Sequence, residues 1–482
     1  MRYASGFAVF IVLLMSTATC VAADATPSAR PNILFIIADD MGYADVGFNG
    51  GKEIKTPNID SIAAAGARLE QFYAQPVCSP TRAALMTGRY PMRYGFQTGV
   101  VRPHADYGVP LDERFLPAAL KEAGYATAIC GKWHLGHVTP DYLPTHRGFD
   151  RQYGHYNGAI DYFSHIRDGG LDWHRDDKAL REEGYSTALL AAEATKIITS
   201  HDGKKPFFLY VPFNAVHAPH QVPDRYKEPY AALSEPRRTY AGMLAAMDEG
   251  VGKILAALDE KKLRDDTLII FTSDNGGPGP GRVTDNGPLR AGKGTVYEGG
   301  VRVAACVAWQ GKIPAGSNVK QPVHMVDFYP TLLNLAGVSL EQKLPLDGKD
   351  AWATIAKGAA SPHEEILLNA SPFNGAIRMG DWKLVLNGGQ RDNEDAPEAP
   401  AAPTENAPRR KQRKQAAAAG DEVELFNLAE DVSEKHNLAE KNPEKVKELR
   451  ARYDAFAKQA VPPKSKPKPP DFKSPAVWGE AK

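Results

Sequence analysis

Asn32-Ile33-Leu34-Phe35-Ile36-Ile37-Ala38 is a run of strand length, unbroken in its apolar character after Asn32, that stops at Asp39-Asp40. A strand with one wet face alternates apolar and polar residues. A run that does not alternate is the pattern of a central parallel strand covered on both faces. Further strand candidates recur at residues 125–130, 206–213, 267–273 and 301–307, with helical patterns at 117–123, 186–199, 237–258 and 326–335. This rhythm predicts an α/β domain with a large, mainly parallel sheet flanked by helices. Polar residues follow the strands: Asp39-Asp40, Lys132 and His134, His217, and Asp274-Asn275. Open parallel sheets bind ligands outside the carboxyl ends of their strands, so four strands aim polar groups at one edge.

Between the first two strand candidates lies Cys78-Ser79-Pro80-Thr81-Arg82-Ala83-Ala84-Leu85-Met86-Thr87-Gly88-Arg89. Pro80 suits the first turn of a helix, residues 83–86 carry it, and Gly88 ends it. Cys78 is thereby expected at a helix N-terminus, where free N–H groups and the dipole favour an anion beside its side chain. Arg82, one turn on, falls on the same face. For an isolated cysteine, the alternative is a buried, inert thiol.

Composition narrows the class. The 482 residues are 43% hydrophobic and 24% charged, with 58 basic and 58 acidic side chains, as in an ordinary soluble globular protein, and no excess of charge asks for nucleic acid. Residues 1–23, with Arg2, an apolar run over 7–15 and Val21-Ala22-Ala23, read as a secretory signal peptide. The run is short of the roughly 20 residues of a spanning helix, so no stable membrane anchor is expected. Cys78, Cys130 and Cys306 remain beyond it, too few for a disulfide framework; Cys130 and Cys306 read as buried small hydrophobes.

The catalytic domain is placed at 24–360. Beyond it, Ala376-Ile377-Arg378-Met379-Gly380-Asp381-Trp382-Lys383-Leu384-Val385 reads as two short strands about a Gly-Asp turn, opening a smaller α+β subdomain with a short antiparallel sheet over 361–460. An Ala-, Pro- and Gln-rich insertion at 390–420 lacks the apolar content to order itself. Residues 442–460 read as a charged surface helix, and the Pro/Lys-rich tail at 461–482 as extended chain.

Asp39, Asp40, Asp274 and Asn275 supply oxygen ligands only, the set preferred by a hard cation such as Ca²⁺ or Mg²⁺; taken singly, each pair also suits a turn or a helix cap. Lys132 and His134, two apart, would point to one side of an extended backbone. His217, in Asn214-Ala215-Val216-His217-Ala218-Pro219-His220, is a third polar candidate, with His220 either beside it or merely stabilising the loop. Lys293 lies in Gly292-Lys293-Gly294, where flanking glycines let its backbone approach a pocket closely. Tyr153, Tyr156, Tyr162 and Trp173, with His155 and His165, would serve either as stacking faces for a ligand or as ordinary packing.

The dodecamer from Cys78 resembles the signature of the type I sulfatases, and Gly124-Tyr125-Ala126-Thr127-Ala128-Ile129-Cys130-Gly131-Lys132-Trp133-His134-Leu135-Gly136 resembles their second signature. The resemblance runs from Pro31 to about Leu438. Asp161-Tyr162-Phe163-Ser164-His165, Gln221-Val222-Pro223 and Tyr240-Ala241-Gly242-Met243 are similar to stretches of arylsulfatase B, the N-acetylgalactosamine 4-sulfatase.

The resemblance implies an alkaline-phosphatase-like sandwich fold and hydrolysis of a sulfuric ester on a sulfated carbohydrate. It implies that a maturation enzyme oxidises Cys78 to formylglycine, whose hydrate is the nucleophile. It also implies a divalent metal, usually calcium, on Asp39, Asp40, Asp274 and Asn275 that also holds the side chain at position 78. Arg82 would orient the attack, with Asp274 a candidate acceptor of the attacking proton. His217 or Lys293 would assist the leaving alcohol, His134 would act in release of sulfate, and Lys132 would bind the ester anion. The few cysteines and the insertion suggest a bacterial, periplasmic or secreted relative. The alternatives are a phosphonate or phosphodiester hydrolase of the same superfamily, and a non-catalytic glycan-binding protein in which Cys78 is never matured.

Overall fold

The computed structural model describes residues 1, 3, 30–372, 374–388 and 422–480. Apart from residues 1 and 3, the leader expected at 1–23 and the insertion expected at 390–420 fall outside them.

The strand Asn32–Ala38 is the middle of a ten-stranded sheet. Parallel neighbours flank it: Phe207–Pro212 on one side, with Ile33 opposite Phe208, and Thr267–Ser273 on the other, with Ile33 opposite Leu268. Ile33, Phe35 and Ile37 pack into one apolar core, while Leu34, Ile36 and Ala38 pack into a second on the opposite face. Two cores on one strand explain why the run does not alternate: every residue has an apolar side to fill. The first core is closed by the helices Cys78–Thr87, Leu116–Glu122 and Phe328–Leu335, the second by Pro57–Ala65, Ser186–Thr199 and Arg237–Glu260. Each fully buried Leu, Ile or Phe contributes roughly 1.5–3 kcal/mol, so this central layer carries much of the stability.

Beyond Phe207–Pro212 follow Ala126–Lys132 and Arg151–His155, both parallel, then the antiparallel His174–Arg175 and Lys178–Ala179. Beyond Thr267–Ser273 the sheet continues with Ala305–Ala308, antiparallel, then Ala67–Leu69 and Ser317–Val319. The strand expected at 301–307 is therefore displaced: Val301 ends the one-turn helix Glu298–Val301, and the strand begins only at Ala305.

A separate four-stranded antiparallel sheet, in the order Glu365–Ala370, Gly375–Met379, Trp382–Leu386, Val423–Asn427, carries the helix Pro443–Ala457 on one face. Gly380 makes the turn between its middle strands at φ 55°, a conformation glycine adopts without penalty. From residue 461 the chain runs extended back over the main domain. Lys464 N donates to Gly95 O, Val477 pairs with Leu171, and Trp478, 2% exposed, donates through Nε1 to Arg167 O.

Among the described residues no helix is long and apolar enough to cross a membrane. Cys130 and Cys306 are buried with free thiols, as expected, and burial pushes both thiols up in pKa.

Candidate active site

The carboxyl ends of the central strands converge on one buried cluster. Asp39 and Asp40 follow Ala38, Lys132 ends Ala126–Lys132, Asp274 and Asn275 follow Ser273, and His217 lies in the turn after Phe207–Pro212. The helix Cys78–Thr87 enters from the other side. All ten of its residues are buried, Cys78 occupies its first position, and Gly88 closes it at φ 67° with N–H bonded to Ala84 O.

Cys78 and Arg82 meet on one oxygen. The Cys78 thiol donates to Asp39 Oδ1 at 3.5 Å, and an Arg82 amino nitrogen stands 3.8 Å from the same atom. Arg82 also donates twice to Asp274 Oδ2, at 3.1 and 2.8 Å, and once to the Lys132 carbonyl at 3.1 Å. Lys132 Nζ donates to Asp39 Oδ2 at 2.7 Å. Lys293 Nζ donates to Asp40 Oδ2 at 2.9 Å and to His217 Nε2 at 3.1 Å. His217 Nδ1 donates to Ala218 O at 2.6 Å, which leaves Nε2 as the basic nitrogen facing Lys293.

His134 is held differently from the expectation. Its φ is +61°, so the backbone leaves the extended form there and Lys132 and His134 do not share a strand face. A residue other than glycine in this region costs about 1–3 kcal/mol unless its surroundings fix it. Here Ser79 Oγ donates to His134 O at 2.8 Å, His134 N to Tyr156 O at 3.0 Å, and His134 Nε2 to Val101 O at 3.0 Å. Nε2 thus carries its proton toward that carbonyl, and Nδ1 is the ring nitrogen left for proton exchange.

The carboxyl groups of Asp39, Asp40 and Asp274 thus share a pocket with Arg82, Lys132 and Lys293, with almost no solvent contact. Burial opposes the charge on Asp39, but Lys132, His217, Arg82 and Lys293 outweigh it and hold its pKa well below the carboxylate range. Burial and then the charge of Asp39 push Asp274 up to about 7, against the pull of Arg82.

A divalent cation fits this donor set. One ligand atom each from Asp39, Asp40, Cys78 and His217 lies within 4.8 Å of all the others. Asn275 gives Nδ2 to Asp40 Oδ1 at 2.7 Å while its buried Oδ1 has no hydrogen-bond partner, an orphaned acceptor that a hard cation would satisfy. Adding two positive charges to this set would leave the pocket cationic, suited to an anionic ester.

The ten residues singled out from the sequence, Asp39, Asp40, Cys78, Arg82, Lys132, His134, His217, Asp274, Asn275 and Lys293, are thus brought to one end of the sheet. The His220 ring packs edge-on to Tyr240, with centroids 6.2 Å apart. The aromatic group behaves as packing: Tyr153, Tyr156, Tyr162 and Trp173 are 3% exposed or less, with Trp173 stacked on His165 and edge-on to Tyr153. Surface clefts of about 290 and 220 Å³, around Lys320 and His363 and around Gln152 and Arg175, contain none of the ten.

Sequence reasoning missed what braces the site. Ser79 Oγ, besides binding His134 O, accepts from Val101 N at 3.1 Å, and Gly158 lies flat against the His134 ring. A Ser beside a singled-out Cys was the one available signal.

The sulfatase family model matches residues 31–338. Arylsulfatase J of Mus musculus is 38% identical over 484 residues, covering 94% of this chain and 80% of that protein. N-acetylgalactosamine-6-sulfatase of Mus musculus is 36% identical, covering 78% of this chain and 75% of that protein. Among solved structures, Ps i-CgsB in complex with k-i-k-neocarrahexaose superposes with a TM-score of 0.78 at 35% identity, covering 90% of this chain and 94% of that one.

Proposed function

The chain belongs to the sulfatase family and is a sulfate-ester hydrolase, and from that premise we propose that it removes sulfate from a sulfated carbohydrate using Cys78 matured to formylglycine together with one Ca²⁺ or Mg²⁺. The observation that carries this reading is the placement of Cys78. Its thiol stands at a helix N-terminus, 3.5 Å from Asp39, inside a cluster of Arg82, Lys132 and Lys293. A side-chain oxygen attacking an anionic ester needs cations placed in this way.

Asp39, Asp40, Asp274 and Asn275, with the side chain at position 78, would hold the metal, which as a Lewis acid would polarise an ester oxygen and help ionise the attacking hydroxyl. Formylglycine would supply a hydrated aldehyde, whose second hydroxyl offers a route to sulfate release without attack by bulk water. The other groups divide the remaining work. Arg82, fixed by its two bonds to Asp274, orients the position-78 side chain. Lys132 and Lys293 balance the ester's negative charge. Lys293 already donates to His217 Nε2, and this pair is arranged to pass a proton to the departing alcohol oxygen. His134, with Nδ1 as base, is the group to take a proton at residue 78 in sulfate release.

We assign the substrate to a 4-sulfated galactosamine-type or related galactose unit. The likeness to arylsulfatase B stretches and to a structure solved with k-i-k-neocarrahexaose supports a sulfated oligosaccharide, with simple aryl sulfates as slower substrates. Residues 1–23, as a signal peptide, would direct the enzyme to the periplasm or outside the cell.

The test is turnover of a panel of position-defined sulfated mono- and oligosaccharides by the purified protein, with Cys78→Ala as control. Sulfate release that survives Cys78→Ala would refute the formylglycine reading. Faster cleavage of a phosphate diester than of any sulfated sugar would replace the substrate class.

A further inference from the structure

Lys293 belongs to a loop that does not stand on its own domain. The segment from Pro288 to Gly300 leaves the metal-side turn, passes the pocket, and lies against the C-terminal sheet. Five residues after Lys293, Glu298 is completely buried, 0% exposed, and the groups that neutralise it come largely from that second unit. Lys383, in the strand Trp382–Leu386, places Nζ 2.9 Å from Glu298 Oε1 and 2.8 Å from Glu434 Oε1, with all three side chains at 0% exposure. Glu434 Oε2 accepts from the Glu298 backbone N–H at 2.6 Å. Tyr73 OH donates to Glu298 Oε2 at 2.9 Å, and Arg302 stands 3.4 Å from the same oxygen.

The start of the loop is tied in the same way. Arg290 is 3.1 Å from Glu424 Oε1, donates to Glu434 O at 2.9 Å, and lies over the Tyr297 ring at 3.8 Å. Between these anchors the loop bonds to the catalytic side: Lys293 N to Gly277 O, Gly294 N to Pro76 O, and Gly276 N to Gly300 O. A buried ion cluster of this kind is a poor source of net stability, because desolvation offsets its attraction. Its geometric strictness is what it offers. Each buried charge must find its partner at one position, so the cluster sets the loop in register with the pocket.

We infer that Lys383 and Glu434, both outside the catalytic sheet, are positioning residues for Lys293. By fixing Glu298 they hold the Lys293 ammonium between Asp40 Oδ2 and His217 Nε2. The inference rests on the proposed role of Lys293 in assisting the leaving alcohol. It adds that the C-terminal unit is part of the catalytic apparatus rather than a passive cap.

A positioning role makes a signature that loss of fold does not. Lys383→Met should slow hydrolysis of a sulfated sugar, whose alkoxide leaves poorly, at least tenfold more than that of 4-nitrophenyl sulfate, which needs no proton. Lys293→Ala should show the same pattern. The double variant Lys293→Ala/Lys383→Met should be no slower than Lys293→Ala, because residues acting through one group are not additive. Lys383→Arg should restore most of the rate. Glu434→Gln, which keeps the acceptor for the Glu298 N–H, is the second variant should Lys383→Met not fold, and should give a milder form of the same pattern.

Equal losses on both esters, or additive losses in the double variant, would overturn the inference. Amine acetylation read by mass spectrometry tests it without turnover: Lys293, 5% exposed at its side chain, should become labelled in Lys383→Met or Glu434→Gln while Lys132 stays protected. A Lys293 that stays protected in both would also overturn it. If the wild type hydrolyses no sulfate ester at all, the proposed function fails, and the labelling pattern alone decides the positioning claim.

Discussion

A methyl group on Gly158 would lie 2.5 Å from both Cε1 and Nε2 of His134. The imidazole therefore occupies a slot whose floor is bare backbone, with its Nε2 proton held by the Val101 carbonyl. Gly158→Ala should displace the ring, break that bond and release the tautomer it selects. The expected loss in kcat is about 10²-fold, within the range for removing an acid or base group. The variant's melting temperature should change little. Turnover within threefold of wild type would show that His134 tolerates displacement.

Cys78 should carry the aldehyde when the protein is made in a host able to mature it. Mass spectrometry of the peptide ending at Arg82 checks this directly, and the fraction of aldehyde should track specific activity from one preparation to the next. A fully active preparation with only the thiol would end the formylglycine reading.

Asp40 offers one oxygen to Asn275 Nδ2 and the other to Lys293 Nζ, and its backbone sits at φ 65°. Asp40→Asn keeps the shape and removes one negative charge from a pocket already holding three cations. Divalent metal measured by elemental analysis should fall well below one per chain, with activity falling in parallel. Stoichiometric metal retained after dialysis would show that the Asp40 charge is not needed to hold the metal.

Burial holds the pKa of His324 down to about 4 from 6.5, opposed by Asp327. The folded chain refuses a proton that the unfolded chain accepts between those values. The stabilisation is complete above about pH 6.5 and is lost as pH falls toward 4, on the order of 3 kcal/mol at most. Wild-type melting temperature should drop over that interval, and His324→Asn, which keeps a capping acceptor for the Val326 N–H, should drop less. Parallel curves for the two would remove His324 from the acid response.

Long elements were legible in the sequence because their patterns are redundant. The helix Ser186–Thr199 ends where its apolar period does, and the Asn32–Ala38 run needs two cores to bury it. Val301 and Val303 misled because a short apolar run does not distinguish a strand from a helical turn followed by a packed loop. The three-residue strand Ala67–Leu69 is too short to show any period. At the site, residue types were legible because chemistry restricts them, while their geometry was not. Nothing local announces that His134 takes a left-handed backbone, or that Tyr156 and Trp173 turn inward. Lys383 and Glu298 stand 85 positions apart, so their pairing exists only once two units have met.

The strap from residue 461 onward also sets an order of events. Trp478 accepts from His174 across 304 positions and covers Leu171 and the His137 ring. At about 5–20 residues per second, the ribosome adds the strap roughly 15–60 s after the groove that receives it. For that interval the cradle around Leu171, His137 and Tyr156 stands open on the nascent chain. Until the strap arrives, the contacts that cover Leu171, the His137 ring and Tyr156 in the folded chain have not yet been synthesised.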